Sequence, residues 1–332
     1  MAQDDWAVVL GISHYPGLTP LAGPENDALA MADWLAAEGG GDVPQPNIKV
    51  ILSSDFADTD DPIEAQPALE QFRKAIDHIH GIGDANGQHV GRRLYLYLAG
   101  HGFAADINDA SLIMANSVPK RPYHVSGPPY ADWFRASAFF DEVVLIMDSC
   151  RTQTSRVAPE PCHLPTLNHG PGGGRRYYAF ATKWDALSRE GPDDGGTIRG
   201  FFTRALIEAL QRATNPVGDI TGDQVARYVK NWMITNGPDI QQPVDFLFDV
   251  NDDLTFSKVT APSVNIRVDL RSRPAGATAV LLLGGTTDVG PHSTFGSTWL
   301  WLVPPGLYKV VSGDVSALID ATAGEGPFDV TL

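Results

Sequence analysis

Apolar and polar positions along the first 250 residues follow two alternating rhythms. Short runs of consecutive apolar residues mark strands buried on both faces of a parallel sheet, and spacings of three and four mark amphipathic helices. The runs are Trp6 to Ile12, Ile48 to Leu52, Arg93 to Ala99, Glu142 to Asp148, Tyr177 to Ala181 and Val244 to Val250. Between the first two, Pro24-Glu25-Asn26-Asp27 opens a helix with proline and acids in its first turn, and its apolar face carries Ala28, Met31, Ala32 and Leu35. Leu69, Phe72, Ile76 and Ile79 share one face of a predicted helix over 67–82. Further helices are predicted over 130–140, over 201–212, and from an N-cap at Thr221 to about Thr235. The order β-α-β-α-β predicts an α/β fold, a mostly parallel six-stranded sheet flanked by helices.

Beyond about Ser257 the rhythm becomes period two. Val264, Ile266, Val268 and Leu270 alternate with Asn265, Arg267 and Asp269; Trp299, Trp301 and Val303, then Phe328, Val330 and Leu332, repeat the pattern. With turns such as Pro304-Pro305-Gly306, this predicts half-buried antiparallel strands in a small β-sandwich that resembles immunoglobulin-like or transthyretin-like modules, with at least one of the two tryptophans in its core. We therefore read two domains, 1–255 and 256–332, as a length of 332 residues leads one to expect.

Two of the buried runs end in reactive residues. The third leads into Gly100-His101-Gly102 and the fourth into Asp148-Ser149-Cys150. Open α/β sheets place chemistry at the carboxyl ends of their strands, and neighbouring strands lie roughly 5 Å apart. A thiol becomes a good nucleophile only beside a positioned base, so the pair points to a Cys-His hydrolase with Cys150 as nucleophile and His101 as base. The backbone N–H groups of Gly102 and Cys150 are candidates for an oxyanion hole. A lone Cys or His after a strand is more often structural; the pairing carries the reading.

These boxes, Leu98-Ala99-Gly100-His101-Gly102 and Asp148-Ser149-Cys150, resemble those of caspase-like cysteine peptidases, the metacaspase-like branch above all. Leu21 to Met31 is similar to that branch's L-x-G-x-x-N-D-A-x-x-M, and Gly200 to Leu206 to its G-x-F-T-x-A-L. The resemblance covers roughly residues 5 to 250 and implies the caspase-like fold, with an endopeptidase that cuts after basic residues. It implies an S1 pocket formed by Asp27 and Asp148, whose carboxylates suit an arginine side chain. Each also has a plain structural reading: Asp27 as a first-turn acid and Asp148 as a turn former. The sequence departs from the branch at Ala99, where Ser is usual, at Pro24, where Cys is common, and at Arg151-Thr152. Members that depend on calcium carry an Asp soon after the Cys box; residues 151–158 hold no acid, so no metal and no cofactor are expected.

The stretch from Arg151 to Arg176 lacks periodicity, and a loop of that length is commonly functional or cleavable. Arg175 and Arg176, beside a glycine run, are candidate processing sites for the enzyme itself or for an upstream protease. The resemblance further implies protein substrates cut at Arg or Lys, and a regulated bacterial signalling or defence role. Two alternatives stay open: a caspase-like interaction scaffold without activity, and a peptidase of non-basic specificity.

Composition narrows the partners. Forty acidic against 24 basic residues give a net charge of −16, which disfavours nucleic acid and anionic membranes. Two cysteines, Cys150 and Cys162, make no disulfide framework and fit a reducing compartment. Without a basic, apolar leader or an apolar run of about 18 residues, the sequence reads as cytoplasmic.

Overall fold

The computed structural model describes residues 4–87, 89–154, 157–167, 173–215, 218–238, 242–249, 253–258, 264–289, 293–303, 306–321 and 328–332. The chain divides into two compact units, one of Met1–Ala213 with Ile220–Ser257, the other of Thr214–Asp219 with Lys258–Leu332. Among the described residues no helix is long and apolar enough to cross a membrane.

In the first unit the chain runs β1 (Trp6–Gly11), α1 (Pro24–Ala36), β2 (Ile48–Leu52), α2 (Leu69–Ala85), β3 (Gly91–Ala99), β4 (Gly102–Phe103), β5 (Ser111–Ile113), β6 (His124–Ser126), α3 (Gly127–Ser137) and β7 (Phe140–Asp148). It continues through β8 (Arg175–Phe180), β9 (Glu190–Pro192), β10 (Ile198–Gly200), α4 (Phe201–Arg212), β11 (Asp219–Thr221), α5 (Gly222–Asn236), β12 (Asp245–Phe248) and β13 (Thr255–Lys258). Six strands form the central sheet in the order β12-β8-β7-β3-β1-β2. All neighbours are parallel except the antiparallel pair β12 and β8.

The period-2 alternation of strand side chains sorts the sheet into two buried faces. Leu94, Leu96 and Leu98 of β3 and Val143, Leu145 and Met147 of β7 pack with Phe72, Ile76 and Ile79 of α2 and Tyr130 and Phe134 of α3. Tyr97, one residue out of phase, faces the other way and meets Thr203 of α4, hydroxyl to hydroxyl at 2.7 Å. Removing one of these core leucines would cost about 2–5 kcal/mol.

Three boundaries differ from the sequence reading. Helix α3 spans Gly127–Ser137, with Pro128 in its first turn and its end where Ala138 turns left-handed (φ 59°). Helix α2 spans Leu69–Ala85, with the Gln71 side chain accepting the Ala68 N–H (2.8 Å) as its cap. Strand β8 begins at Arg175 rather than Tyr177, because two charged residues are anchored at its head. Glu142, 2% exposed in β7, pairs with Arg92, Arg93 and Arg175. The fully buried Arg93 also donates to Tyr95 Oη (2.9 Å) and Thr255 O (2.8 Å). Stripping one partner from such a buried group costs about 3–5 kcal/mol, so this cluster fixes the register of β3, β7 and β8.

The second unit holds two four-stranded sheets. One has the order β17 (Ser293–Phe295), β18 (Thr298–Val303), β14 (Val264–Asp269), β21 (Phe328–Thr331). The other has the order β16 (Thr287–Asp288), β15 (Val280–Leu283), β19 (Leu307–Ser312), β20 (Val315–Asp320). Ile266, Val268, Leu281, Trp301 and Val310 are buried in its core, and Trp299 packs at the margin. β21 runs parallel to β14, not antiparallel as expected. Alternation specifies a half-buried strand but carries nothing about its partner's direction.

Candidate active site

The register of the central sheet brings Gly11, Ala99 and Asp148 into one row at its carboxyl edge. Two residues beyond this row the chain reaches His101 on one side and Cys150 on the other. The two turns touch: a Cβ on Gly102 would stand 2.5 Å from Ser149 Oγ and 2.7 Å from Cys150 O, so only glycine fits there.

His101 is held from three sides. Its N–H donates to Tyr15 Oη (3.1 Å), its carbonyl accepts the Ile113 N–H (2.8 Å), and the Tyr15 ring lies 4.8 Å from its own. Its Nε2 lies 2.7 Å from Thr19 O. A carbonyl only accepts, so Nε2 carries the hydrogen and Nδ1 is left as the basic nitrogen. Neither Tyr15 nor Thr19 stood out in the sequence, since both sit in a turn-rich loop whose composition signals only a turn.

Cys150 is partly buried, and that burial raises its thiol above the ordinary value, opposed by the Ser188 N–H that points at Sγ (3.3 Å). The resting Cys150 side chain is therefore a neutral thiol, which would need a base to act as a nucleophile. Next to it, Arg151 is fully inside the protein. Its guanidinium donates to Asp109 O (3.1 Å), Thr182 O (3.3 Å), Ile107 O (2.7 Å) and Asp245 Oδ2 (3.1 Å), and lies over Phe180. It ties the Cys150 turn to the loop after His101 and to β12. The sequence showed only that an arginine replaced the expected residue.

For the oxyanion candidates, the ladder pattern is informative. Pairs in an antiparallel ladder alternate between bonded and non-bonded. The bond from Ile113 N to His101 O makes Gly102–Leu112 a non-bonded pair, which turns the Gly102 N–H away from β5.

His101, Cys150, Asp27 and Asp148 all line one cavity of about 160 Å3, together with Pro24, Ser188, Arg189 and Glu190. A larger groove of about 700 Å3 lies between β2 and α2 and contains none of these groups, so convergence of chemistry rather than volume identifies the site. Asp148 is 7% exposed; its Oδ1 accepts from Ser188 Oγ (2.8 Å) and its Oδ2 from Thr203 N (3.2 Å) and Oγ1 (2.7 Å). Asp27 is 2% exposed; its Oδ2 accepts from Gly200 N (2.7 Å) and its Oδ1 from Arg199 Nε (3.2 Å). Burial, then the nearby Asp148, pushes Asp27 up to about 8, and burial likewise raises Asp148. Glu190 adds a third carboxylate, accepting the Ala22 and Gly23 N–H groups at the start of α1 (3.2 and 2.8 Å). Nothing in the sequence set Glu190 or Arg199 apart.

Arg175 and Arg176 stand away from this cavity, at the head of β8, paired in register with Glu142 and Val143. Arg156, another arginine of that loop, lies outside the described residues. In the acidic stretch after β2, Asp55 and Asp61 accept the backbone N–H groups of Leu52 and Ile63, as turn residues do. Among the described residues no group of three or more His, Cys, Asp or Glu is arranged to hold a metal ion.

Comparison with known proteins places this geometry in context. A family model described as the caspase domain matches residues 4–245. A probable protease of a Desulfuromonadales bacterium is 26% identical over 252 residues, covering 69% of this chain and 28% of the relative, so the chain spans under a third of that protein's length. The crystal structure of caspase-1 from Spodoptera frugiperda aligns with 16% identity and a TM-score of 0.48 over 77% of this chain and 93% of that one.

Proposed function

The chain belongs to the caspase-domain peptidase family, and from that premise we propose that it is a cysteine endopeptidase cutting proteins after arginine or lysine. The carrying observation is the single cavity that joins His101 and Cys150 to three carboxylates, Asp27, Asp148 and Glu190. Nδ1 of His101 takes the thiol proton as Sγ of Cys150 attacks the scissile carbonyl. The N–H groups of Gly102 and Cys150 stabilise the resulting oxyanion. The tetrahedral adduct collapses to a thioester, and the departing amine takes the proton from His101. Water, deprotonated by His101, then hydrolyses the thioester and frees both the carboxylate product and the thiol.

A basic P1 side chain follows from the carboxylates, which attract a cation and repel an acid. The same specificity makes Arg175 and Arg176 candidate processing sites, for the enzyme itself or another protease. A place in bacterial signalling or defence rests on the family reading alone.

Fluorogenic peptides with Arg, Lys or Asp at P1 test this. Wild type is expected to cleave the Arg and Lys peptides, and Cys150→Ala to cleave none. Cleavage after Asp would overturn the specificity, and no cleavage of any peptide would leave an inactive scaffold.

A further inference from the structure

Asp27 and Asp148 converge on one glycine. A Cβ on Gly200 would stand 2.3 Å from Asp148 Oδ2 and 3.0 Å from Asp27 Oδ2. Two carboxylates brought this close cannot both ionise without a compensating positive charge. One is already present in the chain. Arg199, immediately before that glycine, is 18% exposed at its side chain and donates Nε to Asp27 Oδ1 (3.2 Å). Its Nη2 is buried without a hydrogen-bond partner among the described residues. Arg199 pairs with Asp27 but is not among the residues lining the cavity, so its guanidinium leaves that space open.

We propose that Arg199 is a resident cation of the specificity pocket, paired with Asp27 so that both buried carboxylates carry charge when a substrate's basic side chain enters the cavity. The inference rests on the basic-P1 reading above. With substrate bound, two cations then face Asp27 and Asp148. In the empty pocket Arg199 is the one cation paired with Asp27, in keeping with an Asp27 that titrates near 8. The charged and titratable groups around Asp27 are Tyr97 from β3, Asp148 from β7, Glu190 beside the start of α1 and Arg199 from β10, and His101, Cys150 and Arg189 line the same cavity. Of the two arginines, Arg199 is the one paired with Asp27. Arg199 acts through Asp27 and is a positioning residue rather than a catalytic one.

The test compares wild type, Arg199→Gln and Arg199→Lys. Arg199→Gln should lower kcat/KM for Arg peptides about tenfold at pH 7, mainly through KM, with the gap narrowing as pH rises and Asp27 ionises. Arg199→Lys should recover most of the loss. In parallel, the 13C-carboxyl resonance of Asp27, assigned with Asp27→Asn, should titrate at higher pH in Arg199→Gln. Unchanged kinetics with an unmoved titration would overturn the proposal. So would a gain in activity, which would make Arg199 an internal competitor of the substrate. If wild type ignores Arg and Lys peptides, the specificity reading falls and the Asp27 titration alone decides Arg199: an unmoved midpoint overturns it, and a raised one upholds the counter-ion.

Discussion

At the scale of single residues, buried acids dominate the behaviour of the site. Asp27 titrates near 8 in the folded protein against about 3.9 in an unfolded chain, so the folded state binds the extra proton throughout that interval. Where the native state holds more protons, stability falls as pH rises. Asp27 therefore contributes stability that is fully present below about pH 4 and is lost as pH climbs through 8. Thermal melts should show this as a slope: from pH 4 to 8 wild type loses melting temperature relative to Asp27→Asn. Parallel curves for the two proteins would return Asp27 to an ordinary titration. The residues of the site were unevenly legible in the sequence. Cys150, His101, Asp27 and Asp148 lie at strand ends or a helix start, where position implies direction. Glu190 and Arg199 lie in a stretch that reads only as turn-rich, and their partners are 167 and 172 positions away in the chain. Local pattern carries no information about such pairings.

At the scale of elements, the sheet was readable because strands buried on both faces are apolar without interruption, whereas the small elements between them were not. The three-stranded ladder β4-β5-β6 follows directly from the His101 turn, yet its strands have only two or three residues each. That ladder orients the Gly102 N–H, which makes a prediction. Gly102→Ala pushes a methyl group into Ser149 and the Cys150 carbonyl, separating the two turns. Peptide cleavage should fall by about a hundredfold, the usual loss for one oxyanion donor, while the far-UV CD spectrum stays native. Full activity in Gly102→Ala would remove Gly102 from the oxyanion site.

At the scale of the molecule, the change of rhythm near Ser257 separates two units that each have their own core. Pattern reveals such a boundary because one core is built at periods of two and three to four, the other at two alone. What pattern missed is that Thr214–Asp219 groups with the C-terminal unit, since a short polar loop has no rhythm to read. The head of β8 has a consequence for any maturation step. Arg175 and Arg176 are zipped to β7, while Glu160, His163 and Trp133 bind the preceding segment to the helices through Arg73 (2.5 Å), Asp77 (2.7 Å) and Pro165 O (2.8 Å). A protein clipped after Arg176 would keep both pieces gripped on either side of the break. Denaturing electrophoresis and intact mass should then report two polypeptides where gel filtration under native conditions elutes one particle, and fragments that part on the column would contradict this. Maturation of this kind would be invisible to any assay that reads only the size of the native particle.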